Sequence, residues 1–155
     1  MVKEIKRDYY LEQLINREGN GLIKIVTGIR RCGKSYLLRT LFKNHLLENG
    51  VDTPFSSKWS GEKHIIEMAF DLFDNIEYRD PKIFYPWAKE QLQDNEKYYF
   101  LLDEVQLLDE FVSVLNGLAD KKNCDVFVTG SNAKFLSRDI ATDLAAEGMR
   151  FICTL

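Results

Sequence analysis

Gly28-Ile29-Arg30-Arg31-Cys32-Gly33-Lys34-Ser35 is the stretch around which this 155-residue chain is organised. It fits G-x-x-x-x-G-K-[ST], the spacing of a loop whose backbone N–H groups cradle phosphate. The glycines let the backbone turn those N–H groups inward as an anion nest. In that reading Lys34 brings a point charge to the β- and γ-phosphates, and Ser35 brings a hydroxyl to Mg²⁺. The plainer alternative is a glycine-rich turn between a strand and a helix, with no ligand.

The flanks match the first reading. Leu22-Ile23-Lys24-Ile25-Val26-Thr27 lies between Gly21 and Gly28 and reads as a short buried strand. From Tyr36 to Glu48, apolar Leu37, Leu38, Leu41, Phe42 and Leu46 recur near helical spacing, and Asn49-Gly50 is a helix stop. The N-terminus of that helix would face the bound phosphates. Gly28 through Tyr36 is therefore the candidate nucleotide-binding segment. Within it, Arg30 and Arg31 either add positive potential or turn away to pair with acids.

Composition bounds the rest. The chain is 45% hydrophobic and 29% charged with net charge −3, values of an ordinary globular domain that do not call for nucleic acid. One domain over 1–155 is expected. No apolar run approaches the roughly 18 residues of a membrane span. The charged start Met-Val-Lys-Glu-Ile-Lys-Arg-Asp has no apolar signal segment behind it, so the expectation is a cytoplasmic protein without membrane contact. Three cysteines do not suggest a disulfide framework. His45 and His64 stand alone and read as surface or packing residues.

Along the chain, residues 3–17 read as an amphipathic helix. Arg7, Tyr9 or Tyr10 could lie near a nucleotide base, or the helix could simply pack on the sheet. Residues 51–63 read as a long loop, in which Phe55 and Trp59 either meet a partner or cover nearby apolar surface. Residues 64–70 form a strand, and 71–78 are acidic and irregular. Asp80-Pro81 starts a helix with Ile83, Phe84, Trp87 and Leu92 on one face. Tyr98-Tyr99-Phe100-Leu101-Leu102 has the unbroken apolarity of a strand buried on both faces. A helix with Leu107, Leu108, Phe111, Val112, Leu115 and Leu118 on its inner side follows. Residues 125–129 form another strand, 133–147 look partly helical, and 149–154 end in a last strand. Strand and helix alternate four or five times, which predicts a three-layer α/β fold with a mostly parallel sheet of about five strands.

The apolar strand ends in Asp103-Glu104. Beside a phosphate loop, Asp103 would hold Mg²⁺ opposite Ser35, and Glu104 would orient the attacking water. Both acids must stand at a strand's carboxyl end, where open α/β sheets place their ligands. Alone, the pair would be a solvated strand end. In Gly130-Ser131-Asn132, Asn132 either reaches the γ-phosphate or the water as a sensor, with Ser131 as substitute, or serves as a turn residue.

Gly-Ile-Arg-Arg-Cys-Gly-Lys-Ser, Leu-Leu-Asp-Glu-Val-Gln at 101–106 and Thr-Gly-Ser-Asn-Ala-Lys-Phe-Leu-Ser at 129–137 together resemble the bacterial and archaeal AAA-type ATPases usually labelled only "ATP-binding protein". The resemblance covers residue 3 to about 144. It implies ATP and Mg²⁺ as ligands. It also implies the additional-strand order 5-1-4-3-2, with the Asn132 strand between those carrying the phosphate loop and the acids. A homo-oligomer is implied too, since such sites often need a neighbour. The client, protein or nucleic acid, is not readable. A small-molecule kinase and a non-hydrolysing nucleotide switch are the rival functions. The chain has no Asn-Lys-x-Asp segment for reading guanine.

After residues 1–20 (a helix) and 21–144 (the family-like core), residues 145–155 depart from the family. Relatives continue as Thr-Glu-Phe-Arg-Gly-Arg-Gly-Asp-Glu-Ile and later Tyr-Pro-Leu-Ser-Phe. With one choice among the synonymous codons, back-translation of Ala145 to Leu155 read one base earlier gives Gly-Arg-Gly-Asp-Glu-Ile-His-Met-Tyr-Pro-Leu. This predicts a lost base near codon 145 and a truncated relative. Arg150 then does not take the role of the family's Gly-Arg-Gly arginine, and without an arginine finger, on the order of 10³ or more in turnover is forgone. Sequencing the gene checks this: an open frame resembling the family should continue past the stop, and its absence would refute the frameshift.

Overall fold

The computed structural model describes residues 2–17, 23–28, 33–50, 64–131 and 150–154. The elements run α1 (Val2–Asn16), β1 (Lys24–Gly28), a helical run α2 (34–50), β2 (Ile65–Ala69), α3 (Pro81–Glu90), β3 (Tyr98–Asp103), α4 (Phe111–Ala119), β4 (Cys124–Ser131) and β5 (Arg150–Thr154). The five strands form one sheet in the order β2-β3-β4-β1-β5, and every neighbouring pair is parallel. This is the three-layer α/β architecture and strand order expected from the sequence. The insertion of β4 between β1 and β3 brings the carboxyl ends of all three together.

The layers follow from period-two alternation in strands buried on both faces. On β3, Tyr98, Phe100 and Leu102 face a core shared with Phe84 and Ala88 of α3 and Phe111, Leu115 and Leu118 of α4. Tyr99 and Leu101 face the opposite core, with Leu14 of α1 and Leu37, Leu38, Phe42 and Leu46 of α2. Tyr10, Leu11 and Ile15 of α1 pack against this second core. Alternating strands and helices thus become one sheet covered on both sides.

Local details refine the sequence reading. Asp80 caps α3 by accepting a hydrogen bond from the Lys82 N–H at 3.0 Å, and Pro81 takes the first helical position. The α2 run begins at Lys34 and extends through Asn49-Gly50, with α-turns at Lys34–Tyr36 and Lys43–His45 and π-turns at Leu37–Phe42 and Leu46–Gly50. Residues 73–79, expected to be irregular, form a 3-10 helix. The helix expected to include Leu107 and Leu108 starts only at Phe111. Left-handed backbone at Glu104 (φ 54°) and Glu110 (φ 53°) interrupts the path, and Val105–Leu107 makes a separate 3-10 turn. The expected loop at 51–63, with Phe55 and Trp59, and the helix at 133–147 lie outside the described residues.

One buried ion pair crosses the sheet near its amino-terminal end. Lys24 Nζ pairs with the Asp125 carboxylate, and both side chains are nearly inaccessible. The ammonium also sits 4.6 Å above the Phe127 ring, and Phe127 packs on Phe42 with ring centroids 4.4 Å apart. Phe127 therefore joins β4, β1 and α2. Phe127→Ala should destabilise the fold by about 3–5 kcal/mol, the usual cost of emptying a buried aromatic site. Urea unfolding at unchanged m-value measures it.

Candidate functional site

The site lies at the carboxyl ends of β1, β4 and β3. Gly28 closes β1, pairing with Ser131 of β4. Gly33 immediately precedes α2 at φ 95°, a left-handed conformation that favours glycine, and accepts a hydrogen bond from the Leu37 N–H at 3.0 Å. That turn starts α2 with Lys34 and Ser35 in its first turn, where free N–H groups and the helix dipole favour an anion. Ile29, Arg30, Arg31 and Cys32 lie outside the described residues.

Both expected acids meet these two residues. The Ser35 hydroxyl donates to Asp103 Oδ1 at 2.9 Å. Lys34 Nζ lies 3.1 Å from Glu104 Oε1, with the lysine side chain buried. The Thr129 hydroxyl donates to Asp103 Oδ1 and accepts from the Glu104 N–H at 2.9 Å. Gln106 Nε2 donates to the second Glu104 oxygen, Oε2, at 2.6 Å. Glu104 therefore has defined partners on its N–H and on both carboxylate oxygens, which supports its left-handed backbone.

Asp103 carries the main electrostatic tension. It is 3% exposed, and among the described residues its carboxylate is given hydroxyl partners, Ser35 and Thr129, and no cationic one. Burial pushes its carboxyl above the usual carboxylate range, the two hydroxyl donors oppose that rise, and the charges of Asp71 and Glu104 add to it. A buried carboxylate short of positive charge, next to a serine hydroxyl, fits Mg²⁺, which takes hard oxygen donors and retains water and phosphate oxygens as further ligands. Ser35 and Asp103 are the residues that could hold it.

Tyr36 is 46% exposed on α2, one residue beyond Ser35. Asn132 lies outside the described residues, and Ser131 is described only as the last residue of β4. Tyr9 is 57% exposed and meets Tyr10 edge-on, while Tyr10 also packs against the α1–α2 core. Thr129 and Gln106 are site residues that the sequence reading left without roles. Gln106 closes the segment 101–106 and Thr129 opens the segment 129–137 that carried the resemblance, so membership in those segments was the available signal for both. A cavity of about 490 Å³, lined by His64, Glu67, Trp87, Gln91, Asp94 and Tyr98 among others, contains none of the motif residues. It opens at the amino ends of β2 and β3, opposite the site.

Comparison with known proteins bears on the family and the fold. A family profile described as "AAA domain" matches residues 20–152. An uncharacterised Haemophilus influenzae protein is 33% identical over 144 residues, covering 92% of this chain and 34% of its own length. An uncharacterised protein of Methanocaldococcus jannaschii is 26% identical over 148 residues, covering 96% of this chain and 29% of its own. The chain thus spans about a third of the length of these curated relatives. Among solved structures, a chain of the Drosophila ORC bound to DNA superposes with TM-score 0.60 at 11% identity, covering 99% of this chain and 93% of that one. C. elegans PCH-2 superposes with TM-score 0.57 at 13% identity, covering 99% and 42%. At such identities the likeness is one of fold.

The raised Asp103 pKa has a stability consequence. A carboxyl whose folded pKa lies above its unfolded value favours folding while protonated, and that contribution is lost as pH rises through the folded pKa. Above that folded pKa the ionised, buried Asp103 is thus a burden on the fold. Asp103→Asn should raise the Tm at pH 7, and the gain should fade as pH falls toward the ordinary value of 3.8. Added Mg²⁺ with nucleotide should stabilise the wild type more than the variant. Calorimetric melts across pH test both points.

Proposed function

The chain belongs to the AAA domain family, and on that premise we propose that it binds ATP with Mg²⁺ and hydrolyses the terminal phosphoanhydride. The observation that carries this reading is the meeting of Lys34 and Ser35 with Asp103 and Glu104 across β1, β4 and β3. Amides of the segment from Gly28 to Tyr36 and the Lys34 ammonium hold the phosphates. Ser35 and Asp103 hold Mg²⁺, which neutralises charge developing between the β- and γ-phosphates when bound. Glu104 orients a water and draws on its proton as the water's oxygen bonds to the γ-phosphorus. The bond from that phosphorus to the bridging oxygen breaks, leaving ADP and inorganic phosphate. Asn132, the next residue after β4, senses the γ-phosphate. Arg30 and Arg31 add positive potential around the loop.

The roles above leave open which arginine stabilises the transition state. A neighbouring copy in a homo-oligomer is the source we favour, and the client is a protein or a nucleic acid. Among the described residues no helix is long and apolar enough to cross a membrane; the setting we favour is the cytoplasm. The second reading, a nucleotide-dependent switch without hydrolysis, is favoured by the Lys34–Glu104 ion pair, which engages one oxygen of the glutamate.

Fluorescent-nucleotide binding and phosphate release on wild type, Lys34→Ala and Glu104→Gln test the proposal. Lys34→Ala should lose binding. Glu104→Gln should keep binding and lose turnover by about 10²-fold or more, the usual reach of general-base assistance. Chelating Mg²⁺ should stop release. Tight binding with equal turnover in wild type and Glu104→Gln would favour the switch, and phosphate appearing on a small-molecule acceptor would favour a kinase. A folded sample that binds no ATP would sink the nucleotide reading.

A further inference from the structure

We propose that Gln106 is the positioning residue of this site, anchoring one oxygen of Glu104 while Lys34 exchanges the other for phosphate; this rests on the ATPase reading above. The side chains form a relay, Lys34 Nζ to Glu104 Oε1 at 3.1 Å and Glu104 Oε2 to Gln106 Nε2 at 2.6 Å. Phosphate binding draws Lys34 away from Glu104. A carboxylate held from one side only by lysine would then turn about its side-chain bonds. The amide of Gln106 keeps it in place, leaving the released oxygen to face the water.

The backbone around Gln106 suits this task. It occupies a 3-10 turn, Val105–Leu107, closed by the Leu107 N–H to Glu104 O at 3.1 Å and the Leu108 N–H to Val105 O at 3.0 Å. Val105 and Leu108 are buried in the core shared with α3 and α4, so both ends of the turn are fixed. Asp109 N–H also donates to Arg79 O at 2.9 Å. A side chain on a rigid turn restricts its partner more tightly than one on a free loop. The amide orientation is settled by chemistry, because reversal would set a carbonyl oxygen against a carboxylate. Its own carbonyl, Oε1, is buried and has no hydrogen-bond partner among the described residues. The charge-assisted bond to Glu104 is therefore the contact that holds the amide there.

The test compares Gln106→Met, similar in length without a donor, and Gln106→Glu, similar in shape with a repelling charge. In the nucleotide-free wild type, the Gln106 side-chain amide resonances, assigned by their loss in Gln106→Met, should lie outside the range of a free glutamine. They should return toward that range in Glu104→Ala. With ATP and Mg²⁺, Gln106→Met should lower kcat about ten-fold, the worth of one charge-assisted hydrogen bond, with the Kd for a fluorescent ATP analogue changed by no more than about two-fold. Gln106→Glu should lower kcat further. Ordinary wild-type amide resonances, or wild-type kcat in a folded Gln106→Met, would overturn the assignment. If the wild type binds ATP without hydrolysing it, the ATPase reading fails by itself, and the resonances alone decide whether Gln106 holds Glu104.

Discussion

The Thr129 hydroxyl fixes the two acids of the site relative to each other. It donates to Asp103 and accepts from the Glu104 N–H, so one side chain on β4 sets both a carboxylate and the backbone that turns away from β3. This is possible only because β4 lies between β1 and β3. The register that pairs Leu102 with Val128 and Val26 with Thr129 brings this hydroxyl to the end of β3 and close to the end of β1. Shift β4 by one residue and the hydroxyl would face the opposite layer. The site therefore depends on sheet register before it depends on any loop.

Around that hydroxyl, charge is arranged with little slack. Lys34, Glu104 and Gln106 form a chain of complementary contacts, whereas Asp103 is left with hydroxyl partners. The first arrangement is stabilising. The second is costly, because among the described residues the buried carboxylate gains hydroxyl donors and no cation. Such unequal satisfaction is expected where a fold gives up some stability at the position that will take a ligand.

Much of this was legible in the chain. Strand β3 announced itself by five consecutive large apolar residues, and its two-sided burial followed. The Gly33-Lys34-Ser35 turn and the Asp103-Glu104 pair are local patterns whose chemistry is stated by residue type and spacing. What could not be read were features made by neighbours distant in sequence. Thr129 looks like one more β-former until its strand is set beside Asp103. The break at Glu110 was hidden because Leu107 and Leu108 continue an apolar pattern, while the backbone there is governed by a hydrogen bond from Asp109 to Arg79. The helical run through Asn49-Gly50 has a similar cause: Leu46 is buried in the α1–α2 core, and packing carried the helix past its local stop signal.

The Lys24–Asp125 pair has an evolutionary consequence. Breaking a buried pair by removing one partner costs about 3–5 kcal/mol in comparable settings, although Asp125 also has Lys97 3.9 Å from its second oxygen. Replacing both with apolar residues of similar volume need not be costly. Two tolerated endpoints are thus separated by less stable intermediates. The pair should persist through long divergence, or vanish from both strands together, much as a lock and its key are changed on the same day.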